Sequence, residues 1–286
     1  MEDIYRYCSI SRQGYFQARL RYEQELQMME AILKIVRNYR VRKDARAGSR
    51  SLHQNLNIKS QFGLGINKFE QLMSAYGGSL MPLRTRIITT KSCPRSKRYL
   101  NLANGLVISD INELVVGDLT YLVIGKSRYY LFCLTDVYSC RIVGYCLSQR
   151  MRATEAYEAL RQWWCLRGED ALVECHHHTD GGSQYFSNLY LGQMQKMKLC
   201  ISVAQNCLEN GYAEQRNGLI KHHLLPTLKG FNTSNLNKGF EKLIYFYNHE
   251  RMQEGLGWRS PVAHEAYTKT LADRPNKKLY TFEKDE

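Results

Sequence analysis

The 286-residue chain contains no apolar run approaching ~18 residues, so an ordinary membrane-spanning helix is not expected. Its first residues, Met1-Glu2-Asp3, lack the basic and apolar pattern of a secretory signal, and a cytoplasmic setting is the expectation. No CxxC pair occurs among the nine cysteines, which fits a compartment where thiols need not pair. Cys175 stands beside His176, His177 and His178, yet the upstream Cys165 is too distant for an ordinary zinc clip. Acidic side chains are also in short supply, 27 against 40 Lys and Arg. Between residues 181 and 240 the only ones are Glu209 and Glu214.

What the chain does have is positive charge, unevenly placed. Residues 1–110 hold 19 Lys and Arg against 8 Asp and Glu, a net +11, and residues 111–286 hold 21 against 19, a net +2. A basic segment attracts polyanions through counterion release, although a solvated surface gives the same composition. Residues 17–42 have helical periodicity, with Leu20, Leu26, Met29, Ile32, Leu33 and Ile35 and neither Gly nor Pro. Ser49 or Ser51 is expected to cap a short helix through Leu52 and Leu56. A further helix runs from Ile66 to Met73 after Gly63-Leu64-Gly65, and it stops at Gly77-Gly78. Short helices about a glycine turn in a basic region are compatible with a helix-turn-helix, and equally with a small bundle. Pro82, Pro94 and the basic run from Arg84 to Arg98 mark a linker. The expected division is therefore a helical region at 1–80, a linker at 81–109, a core at 110–228 and a helical extension at 229–286.

From Asp110 the period becomes strand-like. Val115–Val123, Tyr129–Thr135 and Ile142–Leu147 are apolar runs joined by short connections at Gly125-Lys126 and Val137–Arg141, which implies antiparallel neighbours. A helix (Thr154–Trp164), a strand (Ala171–His178), a helix (Asn188–Met197), a short strand (Cys200–Val203) and a helix ending before Pro226 follow. Three strands, helix, strand, helix, strand, helix is the ribonuclease-H-like order: an α/β fold with a mixed five-stranded sheet.

Three carboxylates occupy three different settings in this core. Asp118 interrupts the first strand, Asp180 ends the fourth just before Gly181-Gly182, and Glu214 lies in a polar helical run. A carboxylate inside an apolar strand is costly unless solvated, paired or bound to a cation. Glu214 and Lys221 are seven residues apart and share a helical face with Asn210 and Asn217. Three carboxylates can hold two Mg²⁺ ions about 3.5–4 Å apart and drive phosphodiester chemistry. Acids are common, so a solvent-exposed face stands as the alternative for each residue alone.

The wording of the chain goes further. "VVGDLTYLVIGKSRYYLFCLTDVYSCRIVGY", "HHHTDGGSQYFSNLY", "ENGYAEQRNGLIKH" and "YNHERMQEGLGWRSPVAHE" resemble the DDE transposases of bacterial insertion sequences. The likeness is to the insertion-sequence-three family, second reading frame product, whose core is similar to retroviral integrase. It covers about residues 110–265, and a weaker likeness runs from Ser9 to Gly78. It implies Asp118, Asp180 and Glu214 as catalytic and metal-binding residues, with Mg²⁺ as cofactor and Mn²⁺ able to substitute. It further implies Lys221, Asn210 and Arg251 as DNA-binding. Asp136 and His176–His178 match family positions and are read as structural or supporting. Glu209, Gly181 and Cys140 depart from the family pattern without removing a metal ligand. The implied partners are terminal inverted repeats and target DNA, a second copy of the chain on DNA, and an upstream helix-turn-helix frame product. The implied setting is the bacterial nucleoid. The implied activity is cleavage of element ends and strand transfer. A nuclease without strand transfer and a catalytically silent DNA-binding repressor are the rivals, and intact carboxylates argue against the second.

Overall fold

The computed structural model describes residues 7, 10–82, 99–205, 207–228, 235–275 and 277–278. Residues 83–98 of the expected linker, which include its whole basic run from Arg84 to Arg98, lie outside the described residues. The chain forms two compact units, Met1–Leu83 and Arg84–Glu286.

In the first unit, helix α1 (Arg12–Arg42) starts earlier than periodicity suggested because the Ser11 hydroxyl accepts the Gly14 N–H at 3.0 Å. Met29, Ile32 and Val36 are its buried stripe. They share a core with Leu52 of α2 (Ser49–Asn55), Ile58 of α3 (Ile58–Phe62), and Phe69, Leu72 and Met73 of α4 (Ile66–Ala75). Neither serine caps α2: Gly48 is the cap residue and Ser49 already belongs to the helix. Helix α3 is an element that the sequence pattern did not reveal. It is held between two left-handed residues, Asn57 (φ 49) and Gly63 (φ 69), and is too short to display a period. Arg40 fastens the far end of α1 by donating to the carbonyls of Ala47 and Gly78.

The second unit is built on a five-stranded sheet. After the short β1 (Val107–Ile108) come β2 (Leu114–Ile124), β3 (Ser127–Asp136) and β4 (Ile142–Ser148). Helix α5 (Ala153–Arg167), β5 (His176–Thr179), α6 (Asn188–Lys196), β6 (Cys200–Val203) and α7 (Gly211–Leu219) follow. The order across the sheet is β4-β3-β2-β5-β6, with β2–β3 and β3–β4 antiparallel and β2–β5 and β5–β6 parallel. The mixed ribonuclease-H-like sheet expected from the element order is thus observed. β5 is shorter than the apolar run from Ala171. Asp170–Leu172 coils into a 3₁₀ turn that buries Leu172, and Glu174 takes a left-handed φ of 65, which no strand continues through.

Each face of the sheet buries a different set. Val115, Phe132, Leu134 and Val203 pack against Trp163 of α5 and Tyr190 and Met194 of α6. Gly144 makes this packing possible, since a Cβ there would lie 2.0 Å from the Ala159 carbonyl oxygen. Leu114, Val116, Val137 and Tyr138 form a second cluster with Ala213 of α7.

Beyond α7 the helix widens into a π turn over Ile220–Leu224, and a 3₁₀ turn carries the chain past Pro226. Helix α8 (Leu236–Tyr245), a second π turn and α9 (Pro261–Thr268) complete the helical extension. Short β7 (Lys277–Lys278) pairs with β1.

The extension is pinned to the core by buried charge. Glu265 of α9 accepts from Arg141 at 2.7 Å and from Arg167 at 2.5 and 2.9 Å. Asp136, fully buried at the end of β3, lies 3.9 Å from Arg167 and also accepts from the backbone of Asn112 and Ser139. These two arginines hold Glu265 below the usual carboxylate range despite its burial. Removing one member leaves buried charge uncompensated. Glu265→Ala is therefore expected to lower unfolding stability by about 3–5 kcal/mol, measured by urea titration, well above the effect of removing an exposed carboxylate such as Glu23.

Candidate active site

Parallel pairing of β2 with β5 sets Gly117 opposite Thr179, so Asp118 and Asp180 follow side by side from adjacent strands. Two glycines near the pair, Gly117 and Gly182, leave room for side chains around it. A Cβ on Gly117 would stand 2.9 Å from Leu134 and 3.0 Å from His177, and one on Gly182 would stand 2.9 Å from Asp180 Oδ1. Asp118 is half-buried: its Oδ1 accepts the Leu119 N–H and its Oδ2 accepts from Asn217 Nδ2, both at 2.8 Å. Asp180 Oδ1 accepts the Gly182 N–H at 3.1 Å. Glu214 is exposed on the first turns of α7, whose inner face, Ala213 and Asn217, is buried.

The electrostatics are those of a site short of positive charge. Burial first, then the charge of Asp180, pushes the Asp118 carboxyl up to about 7. Burial also raises Asp180, and burial together with Asp180 raises Glu214. Among the described residues no Lys, Arg or His forms an ion pair with any of the three.

The expected DNA-binding residues divide. Lys221 is exposed, in the π turn that continues α7. Asn210 is 3% exposed and donates to the Gly117 carbonyl at 3.2 Å, so it is a strut between α7 and β2 rather than an outward-facing group. Arg251 is 8% exposed within the helical extension and is likewise not offered to solvent. Glu209 accepts from Asn101 Nδ2 and the Gln205 N–H, away from the carboxylate group. The histidines support the sheet. His177 bonds to the Val115 carbonyl and Tyr190 hydroxyl, and His178 to Ser202 and the Glu209 carbonyl.

Two positioning contacts escaped the reading of the sequence. Asn217 holds Asp118, a role signalled only by its i, i+7 spacing from Asn210. Arg216 projects elsewhere from α7, donating to Gln253 at 2.9 Å and to the Tyr247 hydroxyl at 3.4 Å, with its guanidinium 5.0 Å from the Tyr212 ring. The extension thereby braces the helix that carries Glu214.

Among the described residues no three His, Cys, Asp or Glu side chains are grouped closely enough to hold a metal ion as they stand. The donors nevertheless fit a hard divalent cation: three carboxylates with no cationic partner, beside buried Asn210 and Asn217 Oδ1 atoms that have no hydrogen bond.

Residues 109–212 match the integrase core domain family, a stretch that includes Asp118 and Asp180 and stops short of Glu214. The chain is 29% identical over 147 residues to a transposase for insertion sequence element IS629 of Shigella sonnei, covering 50% of this chain and 49% of that protein. It is 31% identical over 137 residues to an uncharacterized 31 kDa protein of insertion element IS600 of the same organism, covering 47% and 50%. The chain thus spans about half the length of these curated relatives. Among solved structures it is similar to a simian T-cell lymphotropic virus intasome in complex with a PP2A regulatory subunit. There the TM-score is 0.51 and the identity 16%, over 84% of this chain and 78% of that one, a likeness of fold. Residues 109–212 are thus similar to an integrase core, and the resemblance to DDE transposases of the insertion-sequence-three type, noted in the sequence, agrees with the name of the IS629 relative.

The raised Asp118 carboxyl gives a stability prediction. Its folded value, about 7, lies above its ordinary one, so its contribution is fully present at acid pH and is lost as pH rises through 7. In metal-free buffer Asp118→Asn should melt about 2–6 °C above the parent at pH 8, with the gap closing toward pH 4. A lower melting temperature for the variant at pH 8 would show that the carboxylate is not under this strain.

Proposed function

We propose that the chain is a Mg²⁺-dependent DNA transposase that cleaves the ends of an insertion sequence and joins the freed 3′ hydroxyl to a second phosphodiester. The observation that carries the reading is Asp118 beside Asp180 where β5 ends next to β2, with Glu214 of α7 raised by the charge of Asp180, and no cationic partner for any of the three among the described residues. The names of the relatives support the same reading.

Asp118, Asp180 and Glu214 would hold the metal. When bound, divalent metal activates the attacking oxygen and stabilises the leaving oxygen of a phosphodiester. Asn217 and the Leu119 N–H keep the Asp118 carboxylate oriented, and the Gly182 N–H does the same for Asp180. Lys221, exposed two residues beyond Leu219, would take a phosphate near the carboxylates. The helical unit ending at Leu83 reads DNA, and copies of the chain assemble on it, with an upstream frame product as a further partner. Terminal inverted repeats and a target duplex are the substrates.

With Mg²⁺ and labelled element ends, Asp118→Asn, Asp180→Asn and Glu214→Gln should each reduce cleavage and joining by at least about 10³-fold while DNA binding persists. Ordinary turnover by any one of them removes that residue from the site. Cut ends without joined products from the parent chain would instead identify a nuclease.

The division of labour has its own test. The fragment must retain Tyr99–Ala103, because Leu100 accepts from the Val203 N–H and the Leu102 N–H donates to Ser202. A fragment of residues 84–286 should fold and bind DNA without preferring element ends over scrambled duplex in competition at fixed salt. A retained preference would move recognition out of the helical unit.

A further inference from the structure

The hairpin of β2 and β3 extends past the sheet. β5 pairs with β2 only from Leu114 to Gly117, whereas β2 continues to Ile124 and pairs with β3 over that whole length. From Asp118 onward the β5-side edge of β2 therefore has no strand partner among the described residues. The tip is a two-residue turn, Gly125-Lys126, with Gly125 at φ 62. Leu122 and Tyr129 are buried on one face, so the arm is anchored to the unit.

The other face is unusual for an edge strand. Tyr121 and Val123 are 62% and 67% exposed, and the Tyr121 ring meets Tyr130 edge-on across the strands at 6.1 Å. Lys126 and Arg128 are exposed at the tip, and the arm from Leu119 to Thr135 carries these two cations and no carboxylate. Aromatic surface interleaved with unopposed positive charge is complementary to a nucleic-acid backbone. The unpaired edge begins at Asp118 itself; strand alternation turns Tyr121 and Val123 to the face opposite Asp118, and a duplex lying along that open edge meets side chains of both faces.

We propose that this arm is a DNA rail: Lys126 and Arg128 take phosphates of the duplex whose phosphodiester reaches the carboxylates, and Tyr121 lies against its groove. The inference rests on the DNA-cleaving reading above and adds the path of the duplex. Six residues from Asp118 to Ile124 at ~3.3 Å each place the tip about 20 Å along the strand. At ~3.4 Å per base pair, the contact falls about six base pairs from the reacting phosphodiester.

The test is binding of a 40-base-pair duplex by the full chain and by the double variant Lys126→Ala/Arg128→Ala across a salt series. Melting temperature should be unchanged, since both side chains are exposed. The slope of log K against log salt should lessen by about two, with binding about tenfold or more weaker at 0.15 M salt. A photoreactive phenylalanine analogue at position 121 should crosslink to the duplex. An unchanged slope with no crosslink overturns the rail while leaving the transposase reading intact. Changed self-association with an unchanged slope assigns the open edge to a second copy, and also overturns it. Failure of the parent chain to bind duplex at all removes the underlying reading with it.

Discussion

The parallel pairing of β2 with β5 is the constraint on which the rest depends. Asp118 and Asp180 are 62 positions apart in the chain, and they become neighbours only because Gly117 lies opposite Thr179. A shift of one residue would turn Asp118 to the opposite face, away from α7. The register is fixed from both sides. Val115 and Leu134 are packed under α5 and α6, His177 is bonded to the Val115 carbonyl, and Gly117 admits the crowding of Leu134 and His177.

That frame holds charge in a strained arrangement. A largely apolar strand carries Asp118 in a half-buried position, and Asp180 adds repulsion to desolvation. The tension is tolerated because neutral groups, the amide of Asn217 and backbone N–H groups, hold the carboxylates in place without neutralising them. Stability is supplied elsewhere, by the apolar core and by the Asp136–Arg167–Glu265–Arg141 network, whose charges do balance. The same kinds of side chain are thus paired where they support the fold and unpaired where chemistry is proposed.

The helical extension belongs physically to the core, since the contacts that set α7 come from it. Tyr247 donates to the Cys140 carbonyl, Asn248 bonds both backbone groups of Ile142, and Gln253 Oε1 accepts a hydrogen bond from Arg216. Cys140 itself adopts φ 60 and accepts from the Tyr212 hydroxyl at 3.0 Å. The turn after β3, the start of β4 and the Glu214 helix are therefore tied together by residues more than a hundred positions from the turn they hold.

Much of this was legible in the sequence. Strands β2, β3, β4 and β6 follow from alternation and short connections, which are local properties of the chain. The three carboxylates stood out because Asp118 interrupts an apolar run and acids are scarce around Glu214. Helix α3 and the shortened β5 were not legible: one is too brief to show a period, and the other is decided by a left-handed Glu174. Spacing placed Asn210 beside Glu214 and Lys221, but it could not tell a buried strut from a surface contact, and the burial of Arg251, a residue singled out by the resemblance, is likewise seen only in the structure. By itself, then, the sequence determined the order of the elements and the residue types able to do the chemistry. Only the tertiary structure decided which polar groups face solvent and which are spent on holding Asp118 and the Glu214 helix, because burial depends on what distant segments pack against.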